Sequence, residues 1–581
     1  MLSECLEVFG SYSDEEREQM IFDNYIFKDG RYLLVGNNGE IKADMTVEAK
    51  KEQKEQKGQT NSHYKDFRYF DYYSDLLSMN KPVASKIIHS NNYLSFWIKK
   101  ESLMNGKLTP EVIDKYYDSF IKQKNGKKKN NYEENELKPI NIEFLEQNRE
   151  WIQKHIFSIQ ELIDDFDATK KDYLKIFFDS EYSEYLTESR RYMIPRIYNN
   201  DSYNIMIQGK VLGLPDNNMG MNDKKPFLAA RSRKVVTSYL LDRETAILQK
   251  QFFDYLMNCA SDRKNNIYVD LRKKDIKFCE NEEFLSSIEE GIYLRIKKGK
   301  SEVEILDQDN ISSYKNELKT PFSLKNLLHI EEKDEEYNDK RTYQELEQII
   351  NDIFFQKLLN RHYFTDPKDI KIDDAILKRV ILLSRRKLFG WFHLGYTTDI
   401  WGTLDKISME LIKNSIACNY TKKAAKQLNL RWSLMQYLKK GGMDMADFSV
   451  ELREKLKEKL LAEENKGLDN DREYYFAVGQ MAYYFVFLSK AGKKKQSLIN
   501  PFLNARTDEK LKDLLKRYYV KYNYDIPLGA RKISRLFTMV EGYRPEGSIM
   551  QDMLCTGFVM DNLILEKKND NSENSINKEE D

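Results

Sequence analysis

The chain has 581 residues, which is more than one hydrophobic core usually serves, so two or more domains are expected. Charged residues make up 32% and hydrophobic residues 41%, the composition of a water-soluble protein with a heavily charged surface. Ninety-four Lys and Arg balance ninety-four Asp and Glu, which excludes a small, uniformly basic DNA-binding domain and leaves locally segregated charge as the feature to map.

The opening MLSECLEVFG is amphipathic and acidic, with no basic and apolar regions in series, so no signal peptide is expected. Two Lys-rich stretches, Lys42 to about Ser62 and about Lys122 to Lys138, lack apolar periodicity and read as solvated loops. Between them, Asn91–Lys100 reads as a turn leading into a strand whose aromatics serve the core. Asn266–Arg272, Ile292–Lys297 and Glu302–Leu306 are rich in Ile, Val and Tyr and read as strands. From about Tyr343 the pattern turns mainly helical. Helices are expected at Glu451–Ala462, Asp471–Lys490, Arg531–Glu541 and Ile549–Glu566. Another carries Leu511, Leu514, Leu515, Tyr518, Tyr519 and Tyr522 at helical spacing, with Thr507 as its N-cap. The expected fold is α+β: a mixed N-terminal body over 1–440, with short strands and many helices, followed by a C-terminal helical bundle over 445–566. Residues 567–581 are polar and acidic and read as a disordered tail.

The five cysteines are widely scattered, with no C-x-x-C pair, and read as reduced thiols of a cytoplasmic protein. The longest apolar stretch, Met481–Leu488, is far short of the roughly 18–20 residues of a membrane span. Motifs that carry chemistry are missing. Gly299-Lys300-Ser301 resembles the end of a phosphate-binding loop, but Leu294 stands where its first glycine belongs, so it reads as a turn after a strand. Gly441-Gly442-Met443-Asp444 offers one carboxylate, too few to hold two metal ions. The six histidines form no metal-ligand spacing, and there is no G-x-S-x-G elbow. No catalytic residue, metal ligand or cofactor is assigned.

Two basic constellations are candidates for nucleic acid. Gly213 to Phe227 is rich in Gly and Asn, which tolerate tight turns, and Asn side chains carry both donors and acceptors for base edges. Its candidates are Asn217, Asn218 and Asn222, followed by Lys224, Lys225, Arg231, Arg233 and Lys234 for phosphates. The second runs from Lys490 to Arg535, where thirteen basic residues accompany four acidic ones. Its candidates are Lys493, Lys494 and Lys495, then Lys510, Lys516, Arg517 and Lys521, then Arg531, Lys532 and Arg535. Ordinary charged surface is the alternative for both.

Several blocks are similar to one family. Tyr72-Tyr73 with Asn80-Lys81-Pro82, the run Ser90–Lys100, Asn218–Asn222 followed by Lys224–Phe227, Phe476–Tyr484 followed by Ser489-Lys490-Ala491, and the tract from Pro501 to Tyr522 occur in an order that resembles the large subunit of the type I-B CRISPR interference complex, Cascade. The blocks span nearly the whole chain. The paired C-x-x-C knuckles of some relatives are missing, so no zinc is expected.

The resemblance implies an antiviral ribonucleoprotein in which guide pairing reads the target and protein reads a short adjacent duplex motif, the PAM. The large subunit is then non-catalytic. It contacts the PAM, here through the Asn217–Lys225 loop, helps open the duplex and recruits a helicase–nuclease. The basic helical segment would line the guide–target duplex or the displaced strand. Implied partners are CRISPR RNA, target double-stranded DNA, the backbone, guide 5′-end and small Cascade subunits, and the helicase–nuclease, with no membrane. The family's C-terminal part resembles the small subunit and is also made by internal translation. Lys440–Met445 can be encoded by AAA-GGA-GGA-ATG-GAT-ATG, which places a purine-rich ribosome-binding sequence shortly before Met445, the expected internal start, with Met443 as the second choice and a glycine hinge as the alternative reading. The rival readings are a divergent metal-dependent nuclease and a purely structural scaffold.

Overall fold

Short strands and many helices alternate along the chain, which folds as α+β. The computed structural model describes residues 1–48, 62–122, 138–164, 166–167, 169–199, 201–219, 239–280, 283–285, 287–300, 302–330, 337–439, 448–464, 466–489 and 495–566. It divides into two compact units, Met1–Leu285 with Glu290–Asn310, and Ser286–Glu289 with Ile311–Asp581.

The first unit begins with helices α1 (Leu2–Gly10) and α2 (Asp14–Asp23), the latter started by a capping box between Ser13 and Glu16. A four-stranded sheet of order β2-β1-β4-β3 joins β1 (Gly30–Val35), β2 (Ile41–Val47), β3 (Ser95–Lys99) and β4 (Tyr173–Phe178). β1 and β4 are parallel, and the outer pairs are antiparallel. All of strand β2 except Ile41 lies in the stretch read as a loop. Ala43, Met45 and Val47 alternate with exposed Lys42, Asp44 and Thr46, and this period of two is obscured in the sequence by the Lys- and Glu-rich run after it.

Helix α3 (Tyr64–Ser74) packs on this sheet through Phe67 and Phe70. Its C-terminus is tied to the start of β3 by two buried amides. Asn91 Nδ2 donates to the carbonyls of Tyr73 (3.0 Å) and Asp75 (2.8 Å). Asn92 Nδ2 donates to Ser74 Oγ (3.1 Å), and its Oδ1 accepts from Leu94 N and Ser95 Oγ. Lys175 in β4 is buried, pairs with Asp71 and lies 3.8 Å from the Trp97 ring centroid. Phe96 and Trp97 are core residues, as expected.

Helix α4 (Tyr182–Met193) leads to a small hairpin of β5 (Ile205–Ile207) and β6 (Lys210–Leu212). Helix α5 (Arg243–Ser261) then packs with α1 on a second sheet of order β10-β9-β7-β8. Its strands are β7 (Asn266–Asp270), β8 (Asp275–Cys279), β9 (Ser287–Lys298) and β10 (Val303–Lys315). Gly299 N donates to Glu302 O (3.0 Å) at the β9–β10 connection, where a turn was expected.

The second unit carries the pair β11 (Glu317–Phe322) and β12 (Lys340–Thr342), and then helices. These are α6 (Tyr343–Phe355), α7 (Ala375–Leu394), α8 (Ile400–Ala417), α9 (Thr421–Leu438), α10 (Phe448–Leu461), α11 (Asp471–Leu488), α12 (Lys495–Leu503), α13 (Asp508–Tyr522), α14 (Arg531–Gly542) and α15 (Gln551–Val559). Thr507 caps α13 by accepting from Lys510 N. The last helix is shorter than the expected Ile549–Glu566.

Helices α11 and α15 cross with their backbones touching. A Cβ at Gly479 would overlap the Leu554 carbonyl, and one at Gly557 would overlap the Phe476 carbonyl. Gln480, fully buried, seals the crossing: Nε2 donates to Gly557 O (2.6 Å), and Oε1 accepts from Leu563 N (2.8 Å). Helix α15 ends where Met560 becomes extended, and the segment after it meets Gln480 through Leu563.

The expected division at 440–445 lies within residues outside the described ones, as does Met445. Helices on both sides of it share one core, in which Leu428 and Trp432 join Phe476 and Leu554. Arg431 of α9 adds a buried polar link, to Asp405 and Ser408 in α8 and to Asp552 in α15 (3.2 Å).

Gly479→Ala is expected to destabilise the protein by about 1–3 kcal/mol in denaturant unfolding. Gly467→Ala, where an added Cβ meets nothing within 4 Å, is expected to be near neutral. All five thiols are free. Burial pushes Cys5, Cys259 and Cys555 up to about 12 and Cys279 up to about 11. A thiol reagent at pH 8 is expected to label the partly exposed Cys418 rapidly and the other four only after unfolding, as peptide mapping would report.

Candidate nucleic-acid interface

The Asn-rich segment is built on a small apolar cluster of Ile197, Met219 and Ala246. The chain leaves α4 through a 3-10 turn, Ile194–Arg196, and then returns alongside itself. Asn199 N donates to Leu214 O (2.9 Å), and Asp216 N donates to Ile197 O (2.7 Å). Between these strands of chain the β5–β6 hairpin projects. Gln208 and Gly209 at its turn both have positive φ, 51° and 77°, as a tight two-residue hairpin turn demands. Its first strand is apolar and exposed: Ile205, Met206 and Ile207 are 45%, 61% and 48% accessible. Three adjacent aliphatic residues in that state are unusual outside a contact surface.

Asp216 organises the turn that follows. It is buried, and its Oδ1 accepts from Asn218 N (2.9 Å) and Asn218 Nδ2 (2.6 Å). Its Oδ2 pairs with Lys81 Nζ at 2.6 Å. Lys81 is also held through its carbonyl, which accepts from Tyr192 OH at 2.6 Å. Two blocks far apart in sequence, Asn80-Lys81-Pro82 and the Asn-rich turn, therefore meet at one carboxylate.

The Asn218 amide group thus holds the turn through its N–H, and its Oδ1 remains without a partner among the described residues. Asn217 is half-buried beside it. Asn222, Lys224, Lys225, Arg231, Arg233 and Lys234 lie outside the described residues. Both flanks of that stretch are anchored by one side chain. Gln249 is fully buried; its Nε2 donates to Met219 O (3.1 Å), and its Oε1 accepts from Tyr239 OH (2.6 Å). The backbones of Gly213 and Leu241 pair just outside this bridge.

In the second unit the expected basic face separates into two groups. Lys510, Arg517 and Lys521 on α13, and Arg531 at the start of α14, are exposed. Lys521 stands 5.2 Å from the Tyr522 ring centroid. Lys516 is exposed and pairs with Glu541 (2.9 Å). Lys532 and Arg535 instead serve the fold. Lys532 Nζ donates to the carbonyls of Leu563 (3.1 Å) and Glu566 (2.7 Å). Arg535 donates to the carbonyls of Leu460, Ala462 and Glu463, the last acceptors of α10 and the chain beyond it. These two are also sequence candidates for nucleic acid; in this structure both are half-buried and their donors are taken up by backbone oxygens of the same unit. Lys493 and Lys494 lie outside the described residues; Lys495 begins α12, and its side chain is not described.

Among the described residues no three of His, Cys, Asp and Glu converge as a metal-binding group, and no helix is long and apolar enough to cross a membrane. Sequence reasoning missed Asp216 as an organiser, Gln249 as an anchor and the exposed hairpin. The pairing of Asp216 with Lys81 and of Gln249 with the Met219 carbonyl leaves no local signal, because these partners lie 135 and 30 positions apart. The hairpin was legible in the Gln208-Gly209 turn between Ile205-Met206-Ile207 and Val211-Leu212. Comparison with protein-family models, curated proteins and solved structures finds no match.

Lys532→Ala and Arg535→Ala are each expected to lower stability by about 1–3 kcal/mol through orphaned carbonyls. Lys510→Ala, Arg517→Ala and Lys521→Ala are expected to leave the melting temperature within a degree or two of wild type. Differential scanning calorimetry of the two sets checks this division.

Proposed function

We propose that this chain is the non-catalytic large subunit of a type I-B CRISPR RNA-guided surveillance complex. It acts in the cytoplasm in antiviral defence, contacts the PAM, helps open target DNA and recruits a helicase–nuclease. The observation that carries the reading is the convergence at Asp216. There the Asn80–Pro82 and Asn218 blocks, both part of the family resemblance, meet beside an exposed apolar hairpin and at the neck of a basic stretch. Those are the ingredients of duplex recognition: Asn groups for base edges, cations for phosphates, and aliphatic side chains of the kind that wedge between base steps.

In this reading the Asn217–Lys225 segment contacts the PAM, and Ile205–Ile207 supports opening of the duplex. Lys510, Arg517, Lys521 and Arg531 track a nucleic-acid backbone without reading sequence. CRISPR RNA, the other Cascade subunits and the helicase–nuclease are the partners. A second product starting at Met445 supplies the small subunit. Such a product lacks Arg431 and the α8–α9 surface that covers α15, so it needs another protein surface in their place.

The test is native mass spectrometry of the complex purified after expressing the native gene with its neighbours. Guide RNA is expected to co-purify with the full-length chain and with a fragment beginning near Met445. Binding to target duplex is expected to depend on the PAM and to weaken steeply with salt. Recovery of the chain alone, free of RNA and partners, overturns the reading and returns the enzyme alternative to first place.

A further inference from the structure

Arg196 stands next to the Asp216 turn, and the reading above leaves it without a role. It ends the 3-10 turn after α4, and its Nη1 donates to Tyr192 O at 2.7 Å. Its guanidinium carbon lies 4.2 Å from the Tyr192 ring centroid, so the ring fixes the side chain over its face. The side chain is half-buried, and burial pushes its pKa below the usual arginine value. Among the described residues no carboxylate pairs with it. A partly desolvated guanidinium ordinarily has an acid beside it, because removing the cation from water costs free energy that only a counter-charge or good acceptors offset.

The surroundings show what is available to it. Tyr192 also holds Lys81, through the 2.6 Å bond from its hydroxyl to the Lys81 carbonyl. Ile197, the residue after Arg196, accepts the Asp216 backbone N–H. Two cations and the Asn217–Asn218 turn thus share one small scaffold of Tyr192, Ile197 and Asp216. The two cations differ in one respect. Lys81 is neutralised by Asp216, whereas Arg196 has its aromatic support and one backbone acceptor, and among the described residues the rest of its donor fork has no hydrogen-bond partner.

We propose that Arg196 contacts the target duplex directly, presenting its guanidinium fork to a pair of acceptors on the nucleic acid. Two sources offer that pair: the O6 and N7 edge of guanine, and a backbone phosphate. Tyr192 is the positioning residue, since its ring sets the plane of the fork. The inference rests on the duplex-recognition reading and deepens it, because it names the group that the Asn turn alone does not supply.

The experiment measures duplex binding by the assembled complex, carrying wild-type, Arg196→Gln or Arg196→Lys chain, against a panel of PAM sequences at several salt concentrations. Arg196→Gln is expected to weaken binding to the preferred duplex roughly 5- to 150-fold. A loss confined to PAM sequences with guanine at one position, not recovered by Arg196→Lys, assigns the base edge. A uniform loss with a salt slope shallower by about one, largely recovered by Arg196→Lys, assigns the phosphate. Melting temperatures of both variants check that they fold; where only Arg196→Lys folds, its own loss of PAM discrimination or unchanged binding decides. Wild-type binding that depends on the PAM, with both variants folded and indistinguishable from it, overturns the Arg196 assignment alone. A wild-type complex that ignores duplex DNA overturns the functional reading and this inference with it.

Discussion

A polar group taken out of water must find its partners inside the protein, and in this chain that requirement joins segments that hydrophobic packing alone would leave free to slide. Gln480 is the strongest case. Two glycines let α11 and α15 meet backbone to backbone, and the Gln480 amide then bonds to both the end of α15 and the chain that turns back from it. Apolar contact would be satisfied by many registers of two such helices. The amide is satisfied by one.

The same logic recurs in the first unit. Asn91 and Asn92 bind the end of α3 to the start of β3, and Gln249 closes both flanks of the basic stretch. Asp216 joins Lys81 to the Asn turn. Several blocks singled out in the sequence are therefore fold-defining: Tyr72-Tyr73 with Ser90–Lys100 is one clamp, and Phe476–Tyr484 contains another. Their side chains face inward, so a functional role for these blocks runs through what they position. Asn217 and Asn218 differ, because they are only half-buried, and the Ile205–Ile207 strand of the hairpin is exposed.

Zero net charge conceals how the cations are used. Lys175 sits in the core with Asp71, Arg431 links three helices, and Lys532 and Arg535 bind carbonyls. Lys175 and Arg431 are paired with carboxylates, so their charges contribute little to an external field, whereas Lys532 and Arg535 keep theirs but have their donors committed to backbone oxygens. Lys510, Arg517, Lys521 and Arg531 remain at the surface, and these are the cations that set any salt-dependent attraction of a polyanion to this face. A count of basic residues along Lys490–Arg535 cannot make that separation, since acceptor carbonyls are invisible in composition.

The sequence by itself determined the local elements. The capping of α13 by Thr507, the strands at Asn266, Ile292 and Glu302, the turn at Gly299 and the helical character after Tyr343 all follow from period, cap and turn chemistry within a few residues. Strand β2 was hidden because a short alternation beside a run of Lys and Glu averages to a polar segment. What only the tertiary structure decided are the long-range partnerships. The compact units divide near residue 310, and helices before and after 440–445 share a core, because the residues that cover α15 come from both. That Lys532 and Arg535 support the fold while Arg517 faces solvent, and that Asp216 gathers Lys81 and Asn218, depend on which distant oxygen lies within 3 Å. Spacing along a chain carries no record of that distance until the chain has folded.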